Sequence, residues 1–155
     1  MFPKVMGILN ATPDSFSDGI GVVFFEKLFQ KATEMINCGV DIIDIGGEST
    51  RPGAEDVDAA EELDRILPLI RFVKTHYPET KISVDTRKSE VAEVVLEYGV
   101  EIINDVSGLS FSPEMLSVVA RFGADLIIVH CQNKPSNMQV APSYTNVVEE
   151  VFSYL

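Results

Sequence analysis

Lys81-Ile82-Ser83-Val84-Asp85-Thr86-Arg87-Lys88-Ser89-Glu90-Val91-Ala92-Glu93-Val94-Val95-Leu96-Glu97-Tyr98-Gly99-Val100-Glu101-Ile102-Ile103-Asn104-Asp105 reads as one complete strand–helix–strand unit. Lys81–Val84 and Glu101–Ile103 are short β-branched runs, apolar enough in succession to predict strands buried on both faces. Between them Val91, Ala92, Val94, Val95 and Tyr98 recur at helical spacing, and Gly99 stands where such a helix stops. Two strands joined through a helix run parallel, with a right-handed crossover.

The same unit repeats on either side. Val5–Leu9, Asp41–Ile45 and Asp125–Val129 predict three more strands. Phe25, Leu28, Phe29, Ala32, Met35 and Ile36 form a helical stripe ending at Gly39, which makes Cys38 a small core residue of the last turn. Ala60, Leu63, Leu67 and Ile70 form another, with Pro68 inside it, so a kink or break is expected there. The acidic residues Glu55, Asp56, Asp58, Glu61 and Glu62 read as its solvated, dipole-complementing start. Ser112-Pro113-Glu114 predicts a helix with Ser112 as cap, carrying Met115, Leu116, Val119 and Phe122 inward and stopping at Gly123. Val147, Val148, Val151 and Phe152 begin a fifth helix.

The resulting β-α-β-α-β-α-β-α-β order is α/β with parallel strands. Two architectures accept it: a doubly wound open sheet, which could be complete at 155 residues, and a (β/α)8 barrel, which takes about 250. Periodicity alone favours the open sheet.

Composition limits the partners. Against 24 Asp and Glu stand 12 Lys and Arg, a net charge of −12, which argues against a nucleic-acid or anionic-membrane partner. With 46% apolar residues the chain can bury a core, and residues 1–155 read as a single domain without a linker. No apolar run approaches the ~18 residues of a membrane span. Cys38 and Cys131 lie far apart with no metal-ligand spacing around them, so two reduced thiols and a cytoplasmic location are expected.

The chemistry gathers where the strands end. Asn10, Asp44, Asp85, Asn104-Asp105 and His130 follow the successive apolar runs, and in parallel α/β folds that edge carries the ligand. Two loops there are rich in Gly, Pro and hydroxyl residues: Asn10-Ala11-Thr12-Pro13-Asp14-Ser15-Phe16-Ser17-Asp18-Gly19 and Gly46-Gly47-Glu48-Ser49-Thr50-Arg51-Pro52-Gly53. The first, at about ten residues, exceeds the ordinary βα connection. Arg51 makes anion recognition plausible, since guanidinium grips phosphate oxygens in bidentate fashion.

These two loops resemble the opening signatures of the dihydropteroate synthase family. Ile82-Ser83-Val84-Asp85-Thr86 and Ile102-Ile103-Asn104-Asp105-Val106 fall where that family places its third and fourth strands. The resemblance implies five βα units of a (β/α)8 barrel, a pterin-binding domain incomplete at its C-terminal side. It implies a transferase of folate biosynthesis that condenses 6-hydroxymethyl-7,8-dihydropterin diphosphate with p-aminobenzoate and releases pyrophosphate, in the family that sulfonamides target. By the same resemblance Asn10 would help hold Mg²⁺, Thr50 and Arg51 would contact the diphosphate or the incoming ring, and Asp85 and Asn104 would read the amino-pyrimidine edge. The loops of Phe16 and Pro52 would build the p-aminobenzoate pocket. No residue is assigned as a catalytic acid, base or nucleophile.

The resemblance covers five strands only. The further pterin-reading Asp, the Lys and the Arg/His pair of that family have no counterpart here, so weak or absent activity is expected of these 155 residues alone. His130-Cys131-Gln132-Asn133 departs from the family pattern, and His130 reads as a buried strand-end residue. The outer strands would present unpaired edges, predicting a homo-oligomer or a complementary fragment. The alternatives are a methyltetrahydrofolate-type pterin-binding methyltransferase domain, and a non-catalytic pterin-binding fragment.

Overall fold

The computed structural model describes residues 2–12, 21–49, 56–132 and 141–155. The strands are β1 (Met6–Asn10), β2 (Ile42–Gly46), β3 (Lys81–Asp85), β4 (Ile102–Asp105) and β5 (Asp125–Ile128). The helices are α1 (Val22–Asn37), α2 (Ala59–His76), α3 (Ser89–Glu97), α4 (Met115–Phe122) and α5 (Val147–Tyr154). All strand pairs are parallel and the sheet order is β1-β2-β3-β4-β5.

That order decides between the two architectures. A doubly wound sheet reverses its strand order at a switch point and covers both faces. Here each strand is laid beside the previous one, so right-handed crossovers bring the helices to one side. Accordingly α1 packs on α2, α2 on α3 and α3 on α4. The doubly wound arrangement favoured by periodicity is therefore not what forms, because periodicity identifies a helix without saying on which side of the sheet it crosses.

The pleat sorts the residues of each strand. Leu9, Ile43, Ile45, Ile82, Val84 and Ile103 point to the helices and are wholly buried. They meet Phe24, Leu28, Ile66, Leu69, Ile70, Val91, Val95 and Met115 in one core. The alternate residues point the other way. Burial on both faces holds for β2 throughout but fails at the sheet margin, where Ile8 of β1 is 62% exposed.

Tertiary packing overrides several local expectations. Helix α2 runs unbroken for 18 residues through Pro68. Burial of Ile66, Leu69, Ile70 and Val73 on either side outweighs the roughly 3 kcal/mol that proline costs inside a helix. The Ser112 hydroxyl does not cap its own helix: it accepts the Ser89 N–H at the start of α3, at 3.3 Å. In α4 the buried line is Met115, Val118 and Val119, whereas Leu116 and Phe122, expected to face inward, are 56% and 39% exposed. Cys38 is exposed rather than a core residue, because it caps α1 just before the chain turns outward at Gly39, φ 89°. His76, in the last turn of α2, is exposed.

Candidate functional site

The strands end in one aligned row. In register, Asn10 of β1 lies beside Gly46 of β2, Gly46 beside Asp85 of β3, and Asp85 beside Asn104 of β4. Residues opposite one another in a parallel ladder project to the same side, so Asn10, Asp85 and Asn104 share the face turned away from the helices. Gly46 leaves room between them. A Cβ there would lie 3.3 Å from Asn10 Oδ1 and 3.6 Å from Asp85 Cβ.

Two residues back on the same face of β2 sits Asp44, only 3% exposed. Its Oδ2 accepts Asn104 Nδ2–H at 3.2 Å. Asp44 Oδ1, Asn104 Oδ1 and the hydroxyl of Ser83, which is opposite Asp44 in register, are buried without hydrogen-bond partners. Buried polar atoms without partners are costly, so a cluster of them next to a strand edge is suited to receiving a ligand's donors.

Asp85 carries an altered acidity. Burial, followed by the nearby negative charges of Asp44, Glu62, Asp105 and Glu48, pushes its carboxyl up to about 7. Asp105, by contrast, serves the fold. Its Oδ1 accepts from the N–H and hydroxyl of Ser107 and its Oδ2 from the Leu109 N–H, closing the turn after β4.

Beside this row the loop after β2 is held by ion pairs. Glu48 Oε1 accepts from Arg87 at 2.7 Å and from the Val57 N–H at 3.3 Å, while Oε2 accepts from Lys88 Nζ at 2.6 Å. The same Lys88 Nζ donates to Glu62 Oε2 at 2.5 Å. Arg87 also reaches Asp56 at 2.8 Å and lies 4.3 Å above the Phe111 ring. Arg65, which pairs with Glu61, donates to the Gly47 carbonyl at 2.8 Å. Glu62, expected to be solvated, is 0% exposed. Burial raises its pKa despite Lys88. For Glu48 burial pulls upward too, but the hydrogen bonds and charges of Arg87 and Lys88 prevail and lower it. Gly47 permits this packing, since a Cβ there would stand 2.9 Å from both Glu62 Cγ and Ile66 Cγ2.

Of the residues chosen from sequence, Asn10, Asp85 and Asn104 are thus brought together. Phe16, Thr50, Arg51 and Pro52 lie outside the described residues. His130 follows β5, half-buried rather than buried, with Nε2 3.3 Å from the Tyr144 hydroxyl and its ring 4.7 Å from that of Tyr154. It borders an open cavity of about 460 Å³ between the end of β5 and α5. Sequence reasoning placed Asp44 at the strand ends without a role of its own, and missed Glu62 and Lys88 as support of the site. The signal was present for Lys88, a cation directly after the Asp85-Thr86-Arg87 strand end in a chain with few cations.

Residues 6–155 match the model of the pterin binding enzyme family. The chain belongs to that family. It is 46% identical over 152 residues to the dihydropteroate synthase of Escherichia coli K12, covering 98% of this chain and 53% of that protein. With the Synechocystis dihydropteroate synthase it shares 44% identity, covering 95% and 50%. Among solved structures, the Clostridium difficile dihydropteroate synthase determined with pteroic acid superposes with a TM-score of 0.87 at 41% identity, covering 97% of this chain and 55% of that one. The Yersinia pestis enzyme in a sulfonamide complex gives 0.86 at 40%, covering 98% and 55%. The chain spans about half the length of the curated relatives it matches. Its fold, five parallel strands laid in sequence with helices outside, is that part of the barrel which the expectation of a partial (β/α)8 architecture described.

Among the described residues no helix is long and apolar enough to cross a membrane.

Proposed function

We propose that this chain is the pterin-recognising part of a dihydropteroate synthase, which joins p-aminobenzoate to 6-hydroxymethyl-7,8-dihydropterin diphosphate. The observation that carries this reading is the row Asn10–Gly46–Asp85–Asn104, with buried acceptors left open beside it. A pterin's amino-pyrimidine edge presents clustered N–H donors, and a carboxylate beside a carboxamide oxygen accepts them. The synthase relatives, matched along nearly the whole chain, favour it over a methyltransferase domain.

In the reaction the C–O bond to the diphosphate breaks, pyrophosphate leaving with the electron pair, and a C–N bond to the arylamine forms as its nitrogen gives up one proton to pyrophosphate or water. The work left to this chain is holding and orienting the pterin and keeping water away, so no nucleophilic side chain is required. Asp85 and Asn104 fix the pterin ring. Thr50 and Arg51 contact the diphosphate or the incoming ring, and the loops of Phe16 and Pro52 receive p-aminobenzoate, the position at which sulfonamides would compete. Since ionisation turns the O–H donor of the carboxyl into a second, charged acceptor, pterin binding strengthens as pH rises through about 7, where Asp85 loses its proton.

Asn10 fits a supporting role toward Mg²⁺. Its side-chain oxygen is a hard donor at the exposed end of β1, and the described residues contain no group of three His, Cys, Asp or Glu able to hold a metal. Such a lone amide suits an ion that takes its other ligands from phosphate and water. When bound, Mg²⁺ supplies charge compensation to the leaving pyrophosphate, which a chain of net charge −12 especially needs.

The edges of the sheet support a proposal about partners. Among the described residues β1 and β5 each pair on one side only. An open edge recruits another strand, so association with a second copy or with a fragment supplying further strands is expected. Size-exclusion chromatography giving a cooperative, monodisperse monomer would contradict it.

Calorimetry tests the function. Tighter binding of the pterin diphosphate than of the free pterin, with the difference dependent on Mg²⁺, is expected. Equal binding of the two points to the methyltransferase or non-catalytic reading, and no binding of either defeats the pterin assignment.

A further inference from the structure

We infer that Asp44 is a positioning residue that sets which hydrogen-bonding group Asn104 presents to its ligand. The inference rests on the pterin reading for the ligand's identity but on geometry for the device itself.

An asparagine amide has two faces, a donating NH2 and an accepting oxygen, and rotation by half a turn exchanges them. Most surfaces would tolerate either. Here the choice is forced, because the neighbour is a carboxylate. Asp44 is 3% exposed and its Oδ2 stands 3.2 Å from Asn104 Nδ2. A carboxylate only accepts, so Asn104 must turn its NH2 toward Asp44, whatever is bound. Its Oδ1 is thereby directed elsewhere, and that atom is buried without a partner. The adjacent residue in register is Asp85, which accepts as well once it is ionised, so the binding measurements below are made at pH 8. Two acceptors side by side are selective for a ligand edge that places two donors side by side. Without Asp44 the amide could rotate and offer a donor, and the pair would then fit a mixed donor–acceptor edge equally well. Asp44 need not touch the ligand to exert this effect.

The pteridines pterin and lumazine separate the two cases. They share a ring system, but lumazine replaces the 2-amino donor with a carbonyl acceptor. Binding of each is measured by calorimetry to the wild-type chain and to Asp44→Asn. An amide at position 44 can donate to Asn104 Oδ1 and so reverse it. The wild type is expected to prefer pterin by roughly tenfold or more, since a mismatched donor leaves buried acceptors unpaired. In Asp44→Asn that preference should shrink to about threefold or less, through gain of lumazine as well as loss of pterin. A role for Asp44 in packing alone would weaken both ligands together and leave their ratio unchanged, and that result overturns the inference.

A second measurement is independent of any ligand and of the variant's folding. In the unliganded wild-type chain, the Asn104 side-chain NH2 should show one slowly exchanging proton displaced downfield by its carboxylate partner. A rapidly exchanging, undisplaced NH2 overturns the inference. If the wild type binds neither pteridine, the pterin reading fails, and this amide signal alone decides the orientation that Asp44 imposes.

Discussion

The two faces of the sheet are made by the same five strands and obey opposite rules. Ile43, Ile45, Ile82, Val84 and Ile103 face the helices and are fully buried among apolar side chains. The residues between them, Asp44, Ser83, Asp85 and Asn104, turn polar atoms to the other side, several of them buried without partners. One face satisfies the hydrophobic effect and the other leaves hydrogen bonds unmade. Stability and recognition are therefore divided by the pleat, one residue apart, and the division can be tested by perturbing each side separately.

The largest effect is expected where charge has been taken under the loop that joins the two sides. Lys88→Met removes the ammonium shared by Glu48 and the fully buried Glu62. Breaking a buried pair in this way costs about 3–5 kcal/mol, to be read from urea denaturation; a loss below about 1 kcal/mol would mean that the cluster behaves as a surface one. Next comes the helix-facing side. Ile45→Ala should cost about 2–4 kcal/mol while leaving pterin affinity of the folded chain unchanged. Should affinity fall in proportion to stability, the two faces are not separable.

On the polar side the sign reverses. The folded-state pKa of Asp85, about 7, lies above the ordinary aspartate value of 3.8. Between those values the folded chain holds a proton that the unfolded chain has released, so stability declines as pH rises through that window. Asp85→Asn removes the penalty and should stabilise the fold at pH 8 by roughly 1–3 kcal/mol, while abolishing pterin binding. Thermal unfolding at pH 5 and pH 8 checks this, the gain being larger at the higher pH. The smallest effect belongs to neither face: Leu116→Ser, at an exposed position of α4, should change stability by no more than about 0.5 kcal/mol.

Much of this division was legible before any coordinates. The β-branched runs locate all five strands, and the polar residues ending them include Asn10, Asp85 and Asn104. What periodicity could not show was which way the sheet winds, since that depends on where each crossover passes. Asp44 reads as a strand end because it is the polar residue that follows the apolar run ending at Ile43. The strand continues to Gly46 and leaves Asp44 one layer deeper, where it meets Asn104. Glu62 looked solvated because acidic residues usually begin helices in water. Its burial depends on Lys88, which lies far along the chain, beyond the reach of a local pattern. Pro68 and Ser112 were misjudged for a related reason: each was read within its own helix, whereas neighbouring elements decide its effect.

The sequential strand order also bears on how the chain is made. Every strand pairs with the one translated just before it, so each addition finds its neighbour already emerged and closes only a single crossover. Synthesis from the N-terminus and assembly can proceed in step. The strand most recently released is then one bare edge, which growth of the sheet carries forward to β5, while the outer edge of β1 stays bare from the start.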